Sequence, residues 1–222
     1  MIRTDVLLNG LKIFQDTDGF CFGVDAALLS QFADIRKKGH ICDLCSGNGV
    51  IPLLLSTKSE SADFTALEIQ EASCILAEKS VMENGLSGRI KIVRGDVRRA
   101  RKLFCAESFD AVTANPPYIP QERGRKNPRQ EKLIARHEIL CTLTDVVCAA
   151  SFLLRSGGSF FMVHRPSRLS EIFSALKSVR LEPKRIQFVQ PHSLSRANLV
   201  LIEARKNAQA ELVVDAPVIV HG

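Results

Sequence analysis

Four consecutive residues, Asn115-Pro116-Pro117-Tyr118, close the apolar run Phe109-Asp110-Ala111-Val112-Thr113-Ala114, and together they can hold a planar amine. Two prolines fix two φ angles at about −65° and remove two N–H donors, which leaves a stiff backbone that presents carbonyls. Asn115 adds an amide oxygen and Tyr118 a flat apolar face. Two acceptors for the N–H groups of an amine, and one ring to stack on, suit methyl transfer to an exocyclic or amide nitrogen. The same tetrapeptide also fits a Pro-rich loop after a strand, because Asn-Pro marks turns. The rest of the chain decides between them.

A second group lies upstream. Ile41-Cys42-Asp43-Leu44-Cys45-Ser46-Gly47-Asn48-Gly49 ends one strand and opens a helix. Small residues there let a ligand approach the backbone closely, at the carboxyl edge where open α/β sheets bind ligands. Alone, such a turn also fits a dinucleotide or an ordinary tight turn. The next strand ends in Ala66-Leu67-Glu68, where a ribose diol would lie, and the following one in Gly95-Asp96. Acids at three successive strand ends, Asp43, Glu68 and Asp96, suit amino, hydroxyl and amine groups and suit a pyrophosphate badly. Each acid also fits a helix N-cap. Cys42-x-x-Cys45 lacks a second Cys pair and a nearby His-x-Glu, so it reads as buried small apolar residues rather than a zinc or redox site.

The elements that position these groups alternate. Strands are expected at 41–44, 64–68, 90–93, 111–114 and 159–163, with helices between them at 49–56, 71–83, 97–104 and 140–154. A helix at 169–178 and strands at 185–189 and 198–204 follow. Short apolar strands alternating with helices argue for a parallel sheet covered on both faces. Ahead of it, Val6-Leu7-Leu8-Asn9-Gly10-Leu11-Lys12-Ile13-Phe14 reads as strand, Asn-Gly turn and strand, and a helix is expected over 24–33. Residues 210–220 are apolar enough for a last strand and equally fit a loose tail. With no internal repeat or low-complexity linker, the chain reads as a single domain: an N-terminal hairpin and helix extension (1–38), a core (39–206) and a C-terminal strand or tail (207–222).

Bulk composition sets the limits. The 222 residues are 45% hydrophobic, enough for one α/β core. No export signal opens the chain and no apolar stretch approaches the ~20 residues that span a bilayer, so a cytoplasmic protein with reduced thiols is expected for its seven cysteines. Net charge +6 favours an anionic partner such as nucleic acid. Directly after the motif, Arg123, Arg125, Lys126, Arg129 and Lys132 put five cations in ten positions. That segment reads either as a clamp for phosphates or as a solvated charged loop. Arg136 and His137 belong to the clamp or cap the next helix.

Asp43-Leu-Cys-Ser-Gly-Asn-Gly, Glu68, Asp96 and Asn115-Pro-Pro-Tyr, in this order and spacing, resemble the class I S-adenosylmethionine-dependent methyltransferases that methylate amines. Phe20-Cys-Phe-Gly-Val-Asp25-Ala-Ala-Leu-Leu, Ala135-Arg136-His137-Glu138 and Pro183-Lys-Arg-Ile-Gln-Phe-Val narrow the resemblance to the tRNA1(Val) (adenine-37, N6) methyltransferase family. The resemblance implies a Rossmann-like seven-stranded sheet whose last strand is antiparallel. It implies S-adenosylmethionine as cofactor, no metal, and tRNA, through its anticodon stem-loop, as partner. By the same resemblance Asp43, Cys45 and the loop Ser46, Gly47, Asn48, Gly49 hold the methionine end of the cofactor. Glu68 accepts from the ribose and Asp96 from the adenine amine, with Asp25, Ile69, Val97 and Asn115 as further contacts. Asn115 and Pro116 hold the target amine, Pro117 stiffens the turn and Tyr118 stacks on the base. Arg123, Arg125, Lys126, Arg129, Lys132 and Arg136 face RNA. One departure stands out: the first glycine usual in the loop is Cys45 here, where a side chain could crowd the cofactor.

Three rivals remain at this level. A protein glutamine amide is also a planar NH2, but enzymes of that kind carry a helical domain before the sheet, and only about forty residues precede it here. Guanine N2 in ribosomal RNA is a nearer rival. A cofactor-less RNA-binding module is the third, and Cys45 is the feature that leans toward it.

Overall fold

The computed structural model describes residues 1–19, 21–35, 39–116 and 141–221. A hairpin of β1 (Ile2–Val6) and β2 (Lys12–Asp16) comes first, then α1 (Val24–Phe32). The core follows as β3 (His40–Leu44), α2 (Val50–Ser56), β4 (Asp63–Glu68), α3 (Glu71–Glu83) and β5 (Ile90–Arg94). A 3-10 turn, Val97–Arg99, runs into the short α4 (Ala100–Leu103) and β6 (Phe109–Ala114). Beyond lie α5 (Leu143–Leu153), β7 (Leu154–His164), α6 (Leu169–Ser178), β8 (Leu181–Gln190), β9 (Leu199–Lys206) and β10 (Val213–Ile219). None of the described helices is long and apolar enough to cross a membrane.

The main sheet has the order β10-β8-β9-β7-β6-β3-β4-β5. From β5 to β7 all neighbours are parallel, and β9 is antiparallel to both β7 and β8. The sheet therefore holds eight strands where the sequence predicts seven. The eighth is β10, which covers the free edge of β8 in parallel register. Arg185 on β8 holds it there, reaching Glu203 on β9 at 3.1 Å and Asp215 on β10 at 3.5 Å, while Gln187 Nε2 donates to the Ala216 carbonyl. An uncovered strand would leave a row of unpaired backbone groups.

Side chains alternate across the sheet as the period of two requires. Cys42 and Leu44, Val112 and Ala114, and Phe160 and Met162 face α4, α5 and α6. Ile41, Ala111, Phe161 and Val163 face α1, α2 and α3. Asp43 and Thr113 fall on this second face by the same alternation, buried with Glu68 and Glu203 among its apolar side chains.

The N-terminal hairpin forms, but not with the two-residue turn expected from Asn9-Gly10. A tight type I′ turn needs positive φ at both central residues, and only Gly10 has it, at 83°. Val6 pairs with Lys12 instead, and residues 7–11 form a wider loop closed by Leu7 and Leu11. Asn9 is spent elsewhere: its Nδ2 donates to the Leu53 carbonyl at 3.1 Å, docking the loop on α2. On the other side, helix α3 stands in for a third strand. Lys12 N donates to Asn84 Oδ1 at 2.9 Å, Asn84 Nδ2 returns a bond to Lys12 O at 2.7 Å, and Phe14 N donates to Ser80 Oγ at 3.0 Å.

Candidate active site

The chain leaves β3 for β4 and β5 on one side, then returns to place β6 on the other. Such a reversal opens a crevice beyond the carboxyl ends of the strands, where ligands bind in open α/β sheets. Asp43 pairs with Thr113 in register, and Leu44 with Ala114, so Cys45 and Asn115 leave the two strands side by side. The loop after β3 and Asn115-Pro116 after β6 thus open on the same crevice.

Asp43 lies 1% exposed within it. Thr113 Oγ1 donates to its Oδ1 at 2.6 Å, while Oδ2 has no hydrogen-bond partner among the described residues. Ser46 Oγ is likewise buried and makes no well-aligned hydrogen bond among the described residues, although its hydroxyl lies close enough to Asp43 to stabilise the carboxylate. Burial pushes the Asp43 carboxyl up to about 7, against the Ser46 and Thr113 hydroxyls, with the Glu68 charge adding to the rise. Leaving a buried polar atom unpaired costs ~1–3 kcal/mol. Two such atoms side by side mark a place prepared for a ligand that carries donors. The backbone agrees. Gly47 has φ +56°, and a Cβ added there would point into open space. Gly49 has φ +79°, and its Cβ would press on Ala77 at 3.2 Å.

Cys45 occupies the glycine position with φ +57°. A non-glycine residue there carries ~1–2 kcal/mol of strain. The feared crowding takes a definite direction, because Sγ of Cys45 lies 3.7 Å from Sγ of Cys141, just before α5. The hydrogen bond with Cys141, helped by burial, pushes the Cys45 thiol well up, and the same bond lowers that of Cys141. Cys42, by contrast, is fully buried in the core, so Cys42-x-x-Cys45 does not act as a pair.

Glu68 is buried and binds the loop to its neighbour strand. Its Oε2 accepts from Gly47 N at 2.9 Å and its Oε1 from Gln70 N at 2.8 Å. A carboxylate offers about four acceptor positions, so capacity for hydroxyl donors remains. Asp96 is more heavily used. It caps the 3-10 turn by accepting from Arg98 N at 2.9 Å, and the Arg98 guanidinium spans both oxygens at 2.6 to 3.0 Å. That ion pair holds its carboxyl below the usual range. The N-cap alternative therefore applies to Asp96, and an amine would have to share it with Arg98. Ile69 is half-buried after Glu68, and Val97 is buried after Asp96.

Two expected contacts sit differently. Asn48 is turned toward the hairpin, its Nδ2 3.5 Å from Phe14 O and from Gln15 Oε1. Asp25 stands in the first turn of α1, where its carboxylate accepts from Ala26 N. Asn115 is half-buried and Pro116 buried at the end of β6. Pro117, Tyr118 and the cations Arg123, Arg125, Lys126, Arg129, Lys132 and Arg136 lie outside the described residues. A cavity of about 430 Å³, lined in part by Arg101, Glu107, Cys148, Arg180 and Lys206, lies where β6 and β7 begin, at the opposite edge from the crevice.

The sequence reading missed Thr113 and Cys141. Thr113 carried a signal, a lone hydroxyl in an apolar strand. Cys141 carried none, since its contact spans 96 residues of chain.

Residues 22–184 match the family model of the methyltransferase small domain. The tRNA1(Val) (adenine(37)-N6)-methyltransferase of Histophilus somni strain 2336 is 29% identical over 162 residues, 72% of this chain and 67% of that one. The enzyme of the same name from Bacteroides thetaiotaomicron is 29% identical over 154 residues, which take in 68% of this chain and 62% of its own length. This chain thus spans about two thirds or less of the length of these relatives. Among solved structures, a predicted O-methyltransferase from Agrobacterium tumefaciens superposes with a TM-score of 0.71 at 27% identity, covering 89% of this chain and 88% of that one.

Proposed function

Because the chain belongs to the methyltransferase small domain family, we propose that it methylates the N6 amine of an adenine in tRNA, with S-adenosylmethionine as methyl donor. The observation that carries this reading is the side-by-side exit of two groups from adjacent strands. One is a buried carboxylate with an orphaned oxygen, and the other is Asn115-Pro116. The names of the relatives support the tRNA acceptor.

The cofactor supplies a methyl group on a sulfonium, a good leaving centre for in-line displacement. The protein supplies position. Asp43 Oδ2 and Ser46 Oγ, both buried, would hold the amino-acid end, and Gly47 would leave room for it. Spare lone pairs of Glu68 accept from ribose hydroxyls, and Asp96 receives the adenine amine beside Arg98. Asn115 Oδ1 and the Pro116 carbonyl each take an N–H of the target amine, which turns its lone pair out of ring conjugation. Positioning of this kind is worth up to ~7–11 kcal/mol in model reactions. No strong base is needed, because the proton becomes acidic only once nitrogen is methylated. Tyr118 stacks on the base, and adenines in single-stranded loops are cheaper to unstack than those in duplexes. The cations between Arg123 and Arg136 hold phosphates, a contact that weakens with salt.

Unmodified tRNA incubated with methyl-labelled cofactor should yield labelled N6-methyladenosine on nucleoside analysis. Label appearing as N2-methylguanosine in ribosomal RNA, or in protein, would replace this reading.

Thr113 gives a sharper test of the cofactor pocket. Among the described residues its hydroxyl is the donor on Asp43 Oδ1, and hydrogen bonds to charged groups are worth ~1.5–3 kcal/mol. Asp43 must be ionised to hold an ammonium group, so binding of S-adenosylhomocysteine should strengthen as pH rises through about 7. Thr113→Val should move that rise to higher pH and weaken binding about tenfold at pH 7. Thr113→Ser should restore both, as read by calorimetry across pH.

A further inference from the structure

We propose that Cys45 and Cys141 are a peroxide-sensitive modification site, closing to a reversible disulfide that lowers affinity for the cofactor. Their sulfurs already lie 3.7 Å apart, the one thiol pair in contact among the described residues. Both residues are half-buried rather than sealed, so a small oxidant can reach them. Cys42 and Cys74 are buried, whereas Cys105 and Cys148 are exposed and unpaired.

Chemistry assigns the roles. Either sulfur can donate in this contact; with Cys45 as donor, Cys141, the less buried of the two and just before α5, is the easier thiol to ionise. Its thiolate attacks a peroxide, the O–O bond breaks, and a sulfenic acid and hydroxide form. Cys45 sulfur then attacks that sulfenic sulfur. The S–S bond forms, the S–O bond breaks, and water leaves with the proton of Cys45. In sum, two thiols and one peroxide give one disulfide and two waters, and a thiol reductant reverses the bond by exchange.

The consequence follows from where Cys45 sits. An S–S bond is about 2.0 Å long, so the sulfurs must close by more than an ångström. Cys45 holds a left-handed backbone between Asp43 and Ser46, whose orphaned atoms define the pocket. Ser46 N is tied to Leu67 O at 3.1 Å and Gly47 N to Glu68 at 2.9 Å, so the loop cannot follow the sulfur without disturbing these bonds. This last step rests on the cofactor reading above, while formation of the disulfide does not.

The test uses the whole chain, reduced, then treated with hydrogen peroxide. Non-reducing peptide mapping should show a Cys45–Cys141 peptide two hydrogens lighter than the dithiol. Calorimetry should show S-adenosylhomocysteine binding weakened at least tenfold and restored by dithiothreitol. Cys141→Ser should bind like the reduced protein and keep its affinity through peroxide. The proposal is overturned if Cys105 and Cys148 become oxidised with no linked peptide, or if the linked form binds as well as the reduced one. If the reduced protein binds no S-adenosylhomocysteine, the cofactor reading fails with the affinity claim, and the linked peptide still decides the disulfide.

Discussion

Asp43→Asn should make the ligand-free protein more stable at pH 8 while removing its affinity for the cofactor. The sign follows from linkage. An aspartate with an ordinary value of 3.8 in the unfolded chain and about 7 in the fold keeps its proton longer when folded. Below pH ~4 both states are protonated and the group contributes nothing. Between ~4 and ~7 the unfolded state ionises first, so stability falls as pH rises, and above 7 the loss is constant. About three pH units correspond to roughly 4 kcal/mol. Asparagine keeps an oxygen for Thr113 but leaves a buried NH2, which returns ~1–3 kcal/mol of that gain. A net gain of ~1–3 kcal/mol at pH 8, crossing zero between pH ~4 and ~7 and becoming a loss of ~1–3 kcal/mol near pH 4, should be visible as a melting temperature that is higher at pH 8 and lower at pH 4 than the parent's. Calorimetry should detect no binding of S-adenosylhomocysteine. A variant less stable than the parent at pH 8 would show that the Asp43 charge serves the fold rather than a ligand.

Asn115→Ala should separate binding from chemistry. If Asn115 holds the target amine, its loss removes a hydrogen bond used to orient the reacting nitrogen. Single donors or acceptors of this kind are worth ~10²–10³ in turnover. We expect kcat on tRNA to fall by about that factor, with S-adenosylhomocysteine affinity within about threefold of the parent. Melting should be little altered, because Asn115 follows the last strand residue and is only half-buried. Equal losses in cofactor affinity and turnover would place Asn115 in the cofactor site alone.

Much of the sheet could be read from residues. The runs at 41–44, 64–68, 90–93 and 111–114 are short, mostly apolar and spaced by helices, and the strands observed there differ by a residue or two at their ends. β7 was harder. It begins at Leu154, five residues before the expected start, because Gly157-Gly158 reads as a break. The structure uses Gly158 for close approach instead: a Cβ there would lie 3.0 Å from the Asp110 carbonyl. β10 was ambiguous because its partner is β8, reached only after the chain has doubled back through β9. At the site, three acids at strand ends looked equivalent. What separates them is not in the acids: Asp43 meets a threonine 70 residues away, Glu68 meets the amide of Gly47, and Asp96 meets an arginine two residues on. Only the last was a local signal. Cys45 was legible as a departure from glycine, but the direction of its sulfur depends on Cys141, which no periodicity brings near.

Asn48 has a consequence beyond the crevice. It belongs to the loop after β3, yet its amide reaches the backbone of β2, and β2 is itself fastened to α3 through Ser80 and Asn84. Opening of the hairpin therefore strips a tether from the loop, and disorder in the loop releases the hairpin. The local unfolding free energies of the two are linked, so occupancy of the crevice should slow amide exchange in β2, far along the chain from any contact with ligand. The strands that precede the sheet are in this sense part of the binding equilibrium rather than an ornament on the fold.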